Sequence, residues 1–551
     1  MYKPTDEQQY LIDCFETGKS LKVEACAGSG KTSTLLMLAR STTKKCLYLA
    51  FNKAIKVEAE SKFPAHVKCS TGHALAWSVG AQYKSRLRTP TPKALVEALG
   101  LPGVIDHVDP KQSVKSTQLA GALLRAVTRF CQSADERIGM KHVALFDVDD
   151  LKRAHFESLC EQYLQKAWQL MISLDSDFPV SHDLYLKRWV LTRPKLRHEV
   201  IFFDEAQDAN PVLLGLIEDW RQQGAQVIYV GDRYQQIYSW RGAKNAMELI
   251  ETEHVGHLTR SFRYGQTIAD VAGAVLNRQR GADVDIKGHD IDSQLVEQMP
   301  SPDAILCRTN SMVISKLMLM LDQGKRCAVS GGVGKLLALI RGIRQLKNGQ
   351  VVTRCDELKD FADWEEFEEF ANSDFGQSYG SVLRLIEDHG FDSLLKAVDS
   401  VKKNKPEDVE VLISTAHKSK GLEFGRVQLA NDFPCKYLGD EDLNPRWSEE
   451  EAHLLYVAIT RAIDELHVEE CDAVLEALYR LSDAPRVVVS APDVEHLPPM
   501  VQDNVEDAPV NALSPAVYRA LMAYAQKLGI TPDEAVMSLI ENQPQQLALF
   551  A

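Results

Sequence analysis

The sequence has no run of about twenty apolar residues, the length a membrane-spanning helix requires. Its N-terminal MYKPTDEQQY has no basic stretch followed by an apolar one, so a cytoplasmic protein is expected. Eleven cysteines are present, but none forms a C-x-x-C pair or a cluster at metal-ligand spacing. That argues against an iron–sulfur cluster and a structural zinc, and predicts reduced, mostly buried thiols. Positive charge is also in short supply: 63 Lys and Arg face 77 Asp and Glu, a net charge of −14. This is the wrong sign for coating nucleic acid by bulk attraction, so any nucleic-acid site must be a local groove. There is no internal repeat and no low-complexity tract. What remains is globular in composition, with 551 residues, 45% hydrophobic and 25% charged, enough for about three or four domains.

Short β-branched or aromatic runs recur at 21–26, 46–51, 199–204, 225–231, 304–308, 326–330, 410–415, 426–430 and 465–469. Near-continuous apolarity with helical stretches between the runs is what strands covered on both faces require, so parallel α/β sheets in two groups are predicted. About 145 residues separate the second and third runs and carry helical spacing, as in Leu119, Leu123, Leu124, Val127 and Phe130, then Phe156, Leu159, Tyr163, Ala167 and Leu170. This reads as an inserted helical subdomain. A second interruption starts at Gly331, Gly332 and Gly334 and contains DWEEFEEF. Residues 486–513, rich in Pro and Asp, read as a linker before a helical pair at 514–543.

Ala25-Cys26-Ala27-Gly28-Ser29-Gly30-Lys31-Thr32 follows a predicted strand and opens a predicted helix, which is the setting of a phosphate-binding loop. Glycines 28 and 30 let backbone N–H groups turn toward phosphate oxygens, Lys31 reaches the terminal phosphates, and Thr32 can ligate magnesium. A nucleotide site also needs a carboxylate for the metal and a second to take a proton from water; Asp204-Glu205, at the end of the VIFF strand, supplies both.

These residues, with others in the same order, resemble superfamily 1 helicases of the UvrD/Rep type, in particular the F-box DNA helicase branch, although no F-box is present. The resemblance spans about 1–480. It rests on Pro4-Thr5-Asp6-Glu7-Gln8, Asp204-Glu205-Ala206-Gln207-Asp208, the run from Gly231 to Ala243, Arg260-Ser261-Phe262-Arg263, Thr415 to Phe424, and Tyr456 to Ala462. It implies an α/β fold of two RecA-like parallel-sheet motor domains, each with an inserted mainly helical subdomain, plus a C-terminal linker and short helical tail. The implied boundaries are 1–73 with 196–262 for the first motor domain, 74–195 for its insertion, 263–330 with 406–485 for the second, and 331–405 for the smaller insertion.

The resemblance implies that Gln8 reads adenine, Phe262 stacks on the base, Glu423 lies near the ribose or phosphates, and Gln235 senses the γ-phosphate. Arg263 and Arg461, both expected in the second domain, are the implied transition-state cations. Ala27, Gly28, Ser29 and Gly30 would line the phosphates; Ser33 occupies the place where several relatives carry arginine. Asn52, Lys53, Thr71, His73, Tyr238, Trp240, Arg241, Thr415 and His417 fall in segments resembling the family's DNA contacts, with Trp240 the leading base-stacking residue. The basic segment Lys84 to Arg88 reads either as a duplex contact or as a solvated face.

The chain ends Gln546-Leu547-Ala548-Leu549-Phe550-Ala551. This resembles the bacterial sliding-clamp-binding consensus, with Gln546 at the rim and Leu547, Leu549 and Phe550 apolar; the other reading folds the 544–551 tail onto the helical pair. Taken together, the expectation is an ATP- and magnesium-dependent DNA helicase working 3′→5′ in replication, repair or recombination. The competing expectation is a translocase that strips recombinase or other proteins from DNA and unwinds weakly.

Overall fold

The computed structural model describes residues 3–144, 150–237, 246–277, 284–353, 363–371, 377–433, 448–468 and 471–479, with 355, 358 and 361. The 486–513 linker, the 514–543 helical pair, the 544–551 tail, and Tyr238, Trp240 and Arg241 lie outside these residues. The described residues form two compact units, one of those up to 263 with those of 333–400, the other of those in 264–332 and 401–479.

The first unit is built on six strands: β1 (Leu21–Ala25), β2 (Cys46–Ala50), β3 (Val67–Thr71), β4 (Val200–Phe203), β5 (Gln226–Gly231) and β6 (His254–Leu258). They lie in the order β3-β2-β4-β5-β1-β6, with every neighbouring pair parallel. Period-two alternation divides their side chains between two cores. Val23, Tyr48, Phe202 and Val230 enter one cluster; Leu47, Leu49, Ile201, Phe203 and Val227 enter another. Because both faces are covered, β2, β4 and β5 are buried at every position, which explains their nearly continuous apolar sequences, with Gln226 of β5 donating to Phe15 O and Lys19 O.

The edge strands differ. β3 (VKCST) and β6 (HVGHL) each leave residues exposed, and neither stands out in the sequence as an apolar run. The long interval after β2 therefore contains an edge strand as well as the helices. Leu119, Leu123, Val127 and Phe130 are buried along the helix Ser116–Gln132, and Phe156, Leu159 and Ala167 along the helix Asp150–Ile172, all within one apolar cluster. Leu124, Tyr163 and Leu170 pack at its margin.

Two basic side chains are built into this helical region. Arg86 is buried, with its guanidinium donating to the carbonyls of Phe178 (2.8 Å), Ser173 (2.6 Å) and Met171 (3.0 Å). Arg86 is therefore not part of a solvated face, whereas Lys84 and Arg88 are exposed. Lys187 is also buried; its ammonium donates to Ser133 O (2.7 Å) and Asp135 O (2.5 Å) and sits over the Phe130 ring. Burial pushes its pKa down to about 8.

The second unit repeats the parallel-sheet plan with β7 (Gln294–Leu295), β8 (Ala304–Cys307), β9 (Cys327–Val329), β10 (Val411–Thr415), β11 (Phe424–Leu429) and β12 (Ala462–His467). The order is β7-β12-β11-β8-β10-β9, again all parallel. Residues 333–400 interrupt this sheet in sequence, between β9 and β10, but belong by packing to the first unit. They form helices Gly334–Lys347, Trp364–Ala371, Gln377–His389 and Phe391–Val401, with Arg341–Asp399 (3.1 Å) and Arg344–Asp392 (2.8 Å) joining the first to the last. No disulfide joins any of the ten described cysteines, and nine of them are buried.

Candidate nucleotide and strand-binding site

In a parallel sheet, ligands gather beyond the carboxyl ends of the strands. The loop after β1 does this through two left-handed glycines, Gly28 at φ +75° and Gly30 at φ +80°; only glycine adopts such angles without strain. Gly30 caps the helix Lys31–Arg40, so Lys31 and Thr32 occupy its first turn, where the helix dipole favours anions.

The loop is held from one side by the segment that follows β6. Cys26 N donates to Leu258 O (3.0 Å), Phe262 N donates to Gly28 O (2.8 Å), and the Cys26 thiol donates to Thr259 O (3.3 Å). A Cβ at Gly28 would stand 2.5 Å from Ser261 Oγ and 2.7 Å from Arg263 Cβ, too close for any side chain. Arg263 thus lies against the phosphate loop and within the first unit, not in the second as its sequence boundary suggested. The reason is connectivity: Arg260–Gly265 continues directly from the edge strand β6. Burial pushes the Cys26 thiol up to about 12, keeping it neutral beside the loop.

Gln8 joins the same site from the helix Asp6–Glu16. Thr5 and Gln8 form a capping box, with Gln8 N to Thr5 Oγ1 at 3.2 Å and Thr5 N to Gln8 Oε1 at 3.1 Å. The amide then donates to Thr34 Oγ1 (3.1 Å), and Thr34 donates to Gly30 O (3.1 Å). Gly30 has Phe262 and the Gln8 amide as its nearest side-chain neighbours. Phe262 is 41% exposed, leaving a ring face open beside that amide edge. A flat aromatic face next to an amide suits a purine. Ser33, in the first turn of the helix, is exposed.

Asp204 and Glu205 leave β4 at the same rim. Asp204 is buried; its Oδ2 accepts the Tyr48 hydroxyl (2.5 Å) and its Oδ1 accepts Glu205 N (3.0 Å). Burial first, then the negative charge of Glu205, raises the Asp204 pKa from 3.8 to about 6, against the Tyr48 bond and the Lys31 charge. A cation beside this carboxylate would draw its pKa back down. The described residues contain no cluster of three or more His, Cys, Asp or Glu able to hold one alone. Asp204 and the Thr32 hydroxyl, expected from the sequence to hold magnesium, would supply only two oxygen ligands, a sparse set of the kind magnesium accepts.

Glu205 has φ +55°, a left-handed conformation unusual for a non-glycine residue and recurrent at functional sites. Its carboxylate accepts from the Gln207 amide (2.5 Å), and the other end of that amide accepts Asp232 N (3.1 Å). Asp232 Oδ2 accepts the Gln235 amide (2.9 Å). A hydrogen-bonded chain thus runs from the carboxylate pair to Gln235, and Gly231 makes room for it: a Cβ there would meet Gln207 Oε1 at 2.5 Å. Sequence reasoning missed Tyr48, Gln207 and Asp232 as members of the site. Gln207 and Asp232 sit inside the motifs already singled out, whereas Tyr48 looks like any other core residue of β2.

Of the residues expected to touch DNA, Asn52 lies just beyond β2 and Thr71 ends the adjacent strand β3. Each caps the helix it precedes, Asn52 Oδ1 accepting Ile55 N (3.0 Å) and Thr71 Oγ1 accepting Ala74 N (3.2 Å). Lys53 and Phe51 are exposed beside them. His73 faces Asp183 (3.3 Å) and the rings of His182 and Tyr185, so its ring already has a structural partner. In the second unit Thr415 likewise caps a short helix at the end of β10, with His417 in that helix and Glu423 exposed. Arg461 is buried there, donating to Val457 O (2.9 Å), Leu422 O (3.0 Å) and Thr460 Oγ1 (3.2 Å). This ties it to the segment that carries Glu423.

Two family models match: the UvrD/REP helicase N-terminal domain over residues 106–254 and the UvrD-like helicase C-terminal domain over 225–472. The chain belongs to the UvrD-like helicase family. It is similar to F-box DNA helicase protein 1 of Schizosaccharomyces pombe, 31% identical over 521 residues, covering 86% of this chain and 58% of that protein. F-box DNA helicase 1 of Gallus gallus is 30% identical over 511 residues, covering 84% and 48%. A shorter match, 34% over 94 residues, covers 16% of this chain and 12% of the ATP-dependent DNA helicase PcrA of Leuconostoc citreum. The chain spans about half the length of the two F-box relatives. UvrD-like helicase domains imply ATP use. No helix among the described residues is long and apolar enough to cross a membrane.

Proposed function

We propose that this UvrD-like chain is an ATP- and magnesium-dependent DNA helicase that moves along single-stranded DNA, 3′→5′, and separates duplex in replication, repair or recombination. One observation carries the reading: the phosphate loop, the Asp204–Glu205 pair and the exposed Asn52–Lys53 turn all leave the carboxyl ends of one parallel sheet. Nucleotide chemistry and strand contact on one rigid frame is the arrangement in which hydrolysis can move a strand.

In this reading Gln8 and Phe262 hold the base, and Lys31 and the loop amides hold the phosphates. Thr32 and Asp204 hold magnesium, which neutralises phosphate charge, and Glu205 accepts the proton of the attacking water. Gln235 senses the γ-phosphate, Arg263 and Arg461 stabilise its developing charge, and Glu423 lies near the ribose. Asn52, Lys53, Thr71, His73, Tyr238, Trp240, Arg241, Thr415 and His417 follow the strand, and the Gln546, Leu547, Leu549 and Phe550 tail recruits the protein to a sliding clamp. The test is strand displacement on 3′-tailed against 5′-tailed duplex with ATP. Unwinding of the 3′-tailed substrate alone is expected, and unwinding of neither overturns the reading.

A further inference from the structure

We propose that Tyr48 is a positioning residue for the carboxylate of Asp204, setting its orientation toward the divalent cation. The inference rests on the assignment of Asp204 as the cation ligand.

β2 is a buried core strand, and at each of its other positions the sequence uses a side chain with no polar need: Cys46, Leu47, Leu49 and Ala50. A phenol in such a strand must find a partner for its hydroxyl, since a buried hydroxyl without one keeps the full cost of leaving water. Tyr48 finds it at a distance of 156 residues in the chain, on Asp204 Oδ2. Strand register makes this possible. Tyr48 lies opposite Phe202 in the parallel β2–β4 pair, so its side chain shares the Phe202 face and its long axis reaches the end of β4. The ring is fixed by Phe63, centroids 4.8 Å apart, so the hydroxyl has little freedom to wander.

The consequence for Asp204 is geometric. One donor holds each oxygen, Tyr48 on Oδ2 and the Glu205 amide on Oδ1, so the plane of the carboxylate is set from both sides. A carboxylate has about four lone-pair sites, and two donors leave the others free for a cation. Such outer-shell partners typically change metal affinity about 10–100-fold when removed.

The experiment is titration of the full chain with Mn2+ in the presence of ADP, followed by electron paramagnetic resonance, for wild type, Tyr48→Phe and Asp204→Asn. Mg2+-dependent ATPase and thermal unfolding accompany each titration. Tyr48→Phe keeps the ring and its packing. It is expected to bind Mn2+ about 10-fold more weakly, to need correspondingly more Mg2+ for half-maximal ATPase, and to approach the wild-type rate once Mg2+ saturates. 4-Aminophenylalanine at position 48, which keeps a donor in place, should restore most of the affinity, and it supplies the test if Tyr48→Phe fails to fold. Wild-type Mn2+ affinity in Tyr48→Phe, or no recovery with the amino analogue, overturns the proposal. Unchanged Mn2+ binding in Asp204→Asn overturns the underlying metal assignment instead.

Discussion

Replacing Asp204 by Asn should stabilise the metal-free protein at neutral pH. The carboxyl is 3% exposed, and its pKa rises from 3.8 to about 6, chiefly through burial. A group whose folded pKa is raised takes up a proton on folding. Its favourable contribution is therefore complete below the unfolded value and is lost as pH rises through the folded one. At about 1.4 kcal/mol per pKa unit, holding this carboxylate charged above pH 6 costs about 3 kcal/mol. Asn is nearly isosteric and cannot ionise; with its oxygen accepting the Glu205 N–H, its amide can donate to the Tyr48 hydroxyl oxygen. Thermal unfolding in EDTA should show Asp204→Asn melting several degrees above wild type at pH 8, with the gap closing as pH falls toward 4. Magnesium with a nonhydrolysable nucleotide should reverse the order, because only the wild type gains the ligand. If the variant is no more stable at pH 8, or if the gap is the same at every pH, the account of Asp204 is wrong.

Three further outcomes follow from the same geometry. Phe262→Ala removes the half-exposed ring beside Gln8 and should raise KM for ATP about 5-fold with little change in kcat, since about 1 kcal/mol of stacking is lost equally from ground and transition states. Gln207→Leu cuts the link between Glu205 and Asp232 while filling the same space; steady-state assays should show DNA-stimulated kcat falling at least 10-fold with KM for ATP preserved. Lys187→Met strands the carbonyls of Ser133 and Asp135, so urea unfolding should show a loss of about 2–4 kcal/mol, while ATP binding measured by fluorescent-nucleotide titration stays at the wild-type level.

The central strands were legible because burial on both faces leaves only apolar residues to choose from. β2, β4 and β5 announced themselves in this way. The edge strands β3 and β6 did not, since a strand with one open flank tolerates Lys68, His254 and His257, and those residues break the pattern. The phosphate loop was legible because φ values near +75° demand glycine, and the spacing of Gly28, Gly30 and Lys31 records that demand directly. Tyr48 was not. Its role depends on a hydroxyl meeting a carboxylate 156 positions away, a distance that no local pattern encodes. Arg263 was assigned by motif order to the second domain, whereas the backbone bond from Phe262 to Gly28 fixes its neighbour in the first. Asn52, Thr71 and Thr415 share a second duty that the motif comparison did not suggest: each caps a helix at the end of a strand, so each is constrained by the fold as well as by any ligand.

The central claim is that the loop around Lys31 and the strand ends beside it work as one ATP-fuelled motor on DNA. The measurement that tests it most directly is a single experiment on the full chain: ATPase and displacement of a 3′-tailed duplex for wild type, Lys31→Ala and Glu205→Gln, with single-strand binding measured in parallel. The account predicts that both variants bind the strand as wild type does but neither hydrolyse ATP nor displace the duplex. Wild-type hydrolysis in either variant, or strand displacement that persists without hydrolysis, contradicts it.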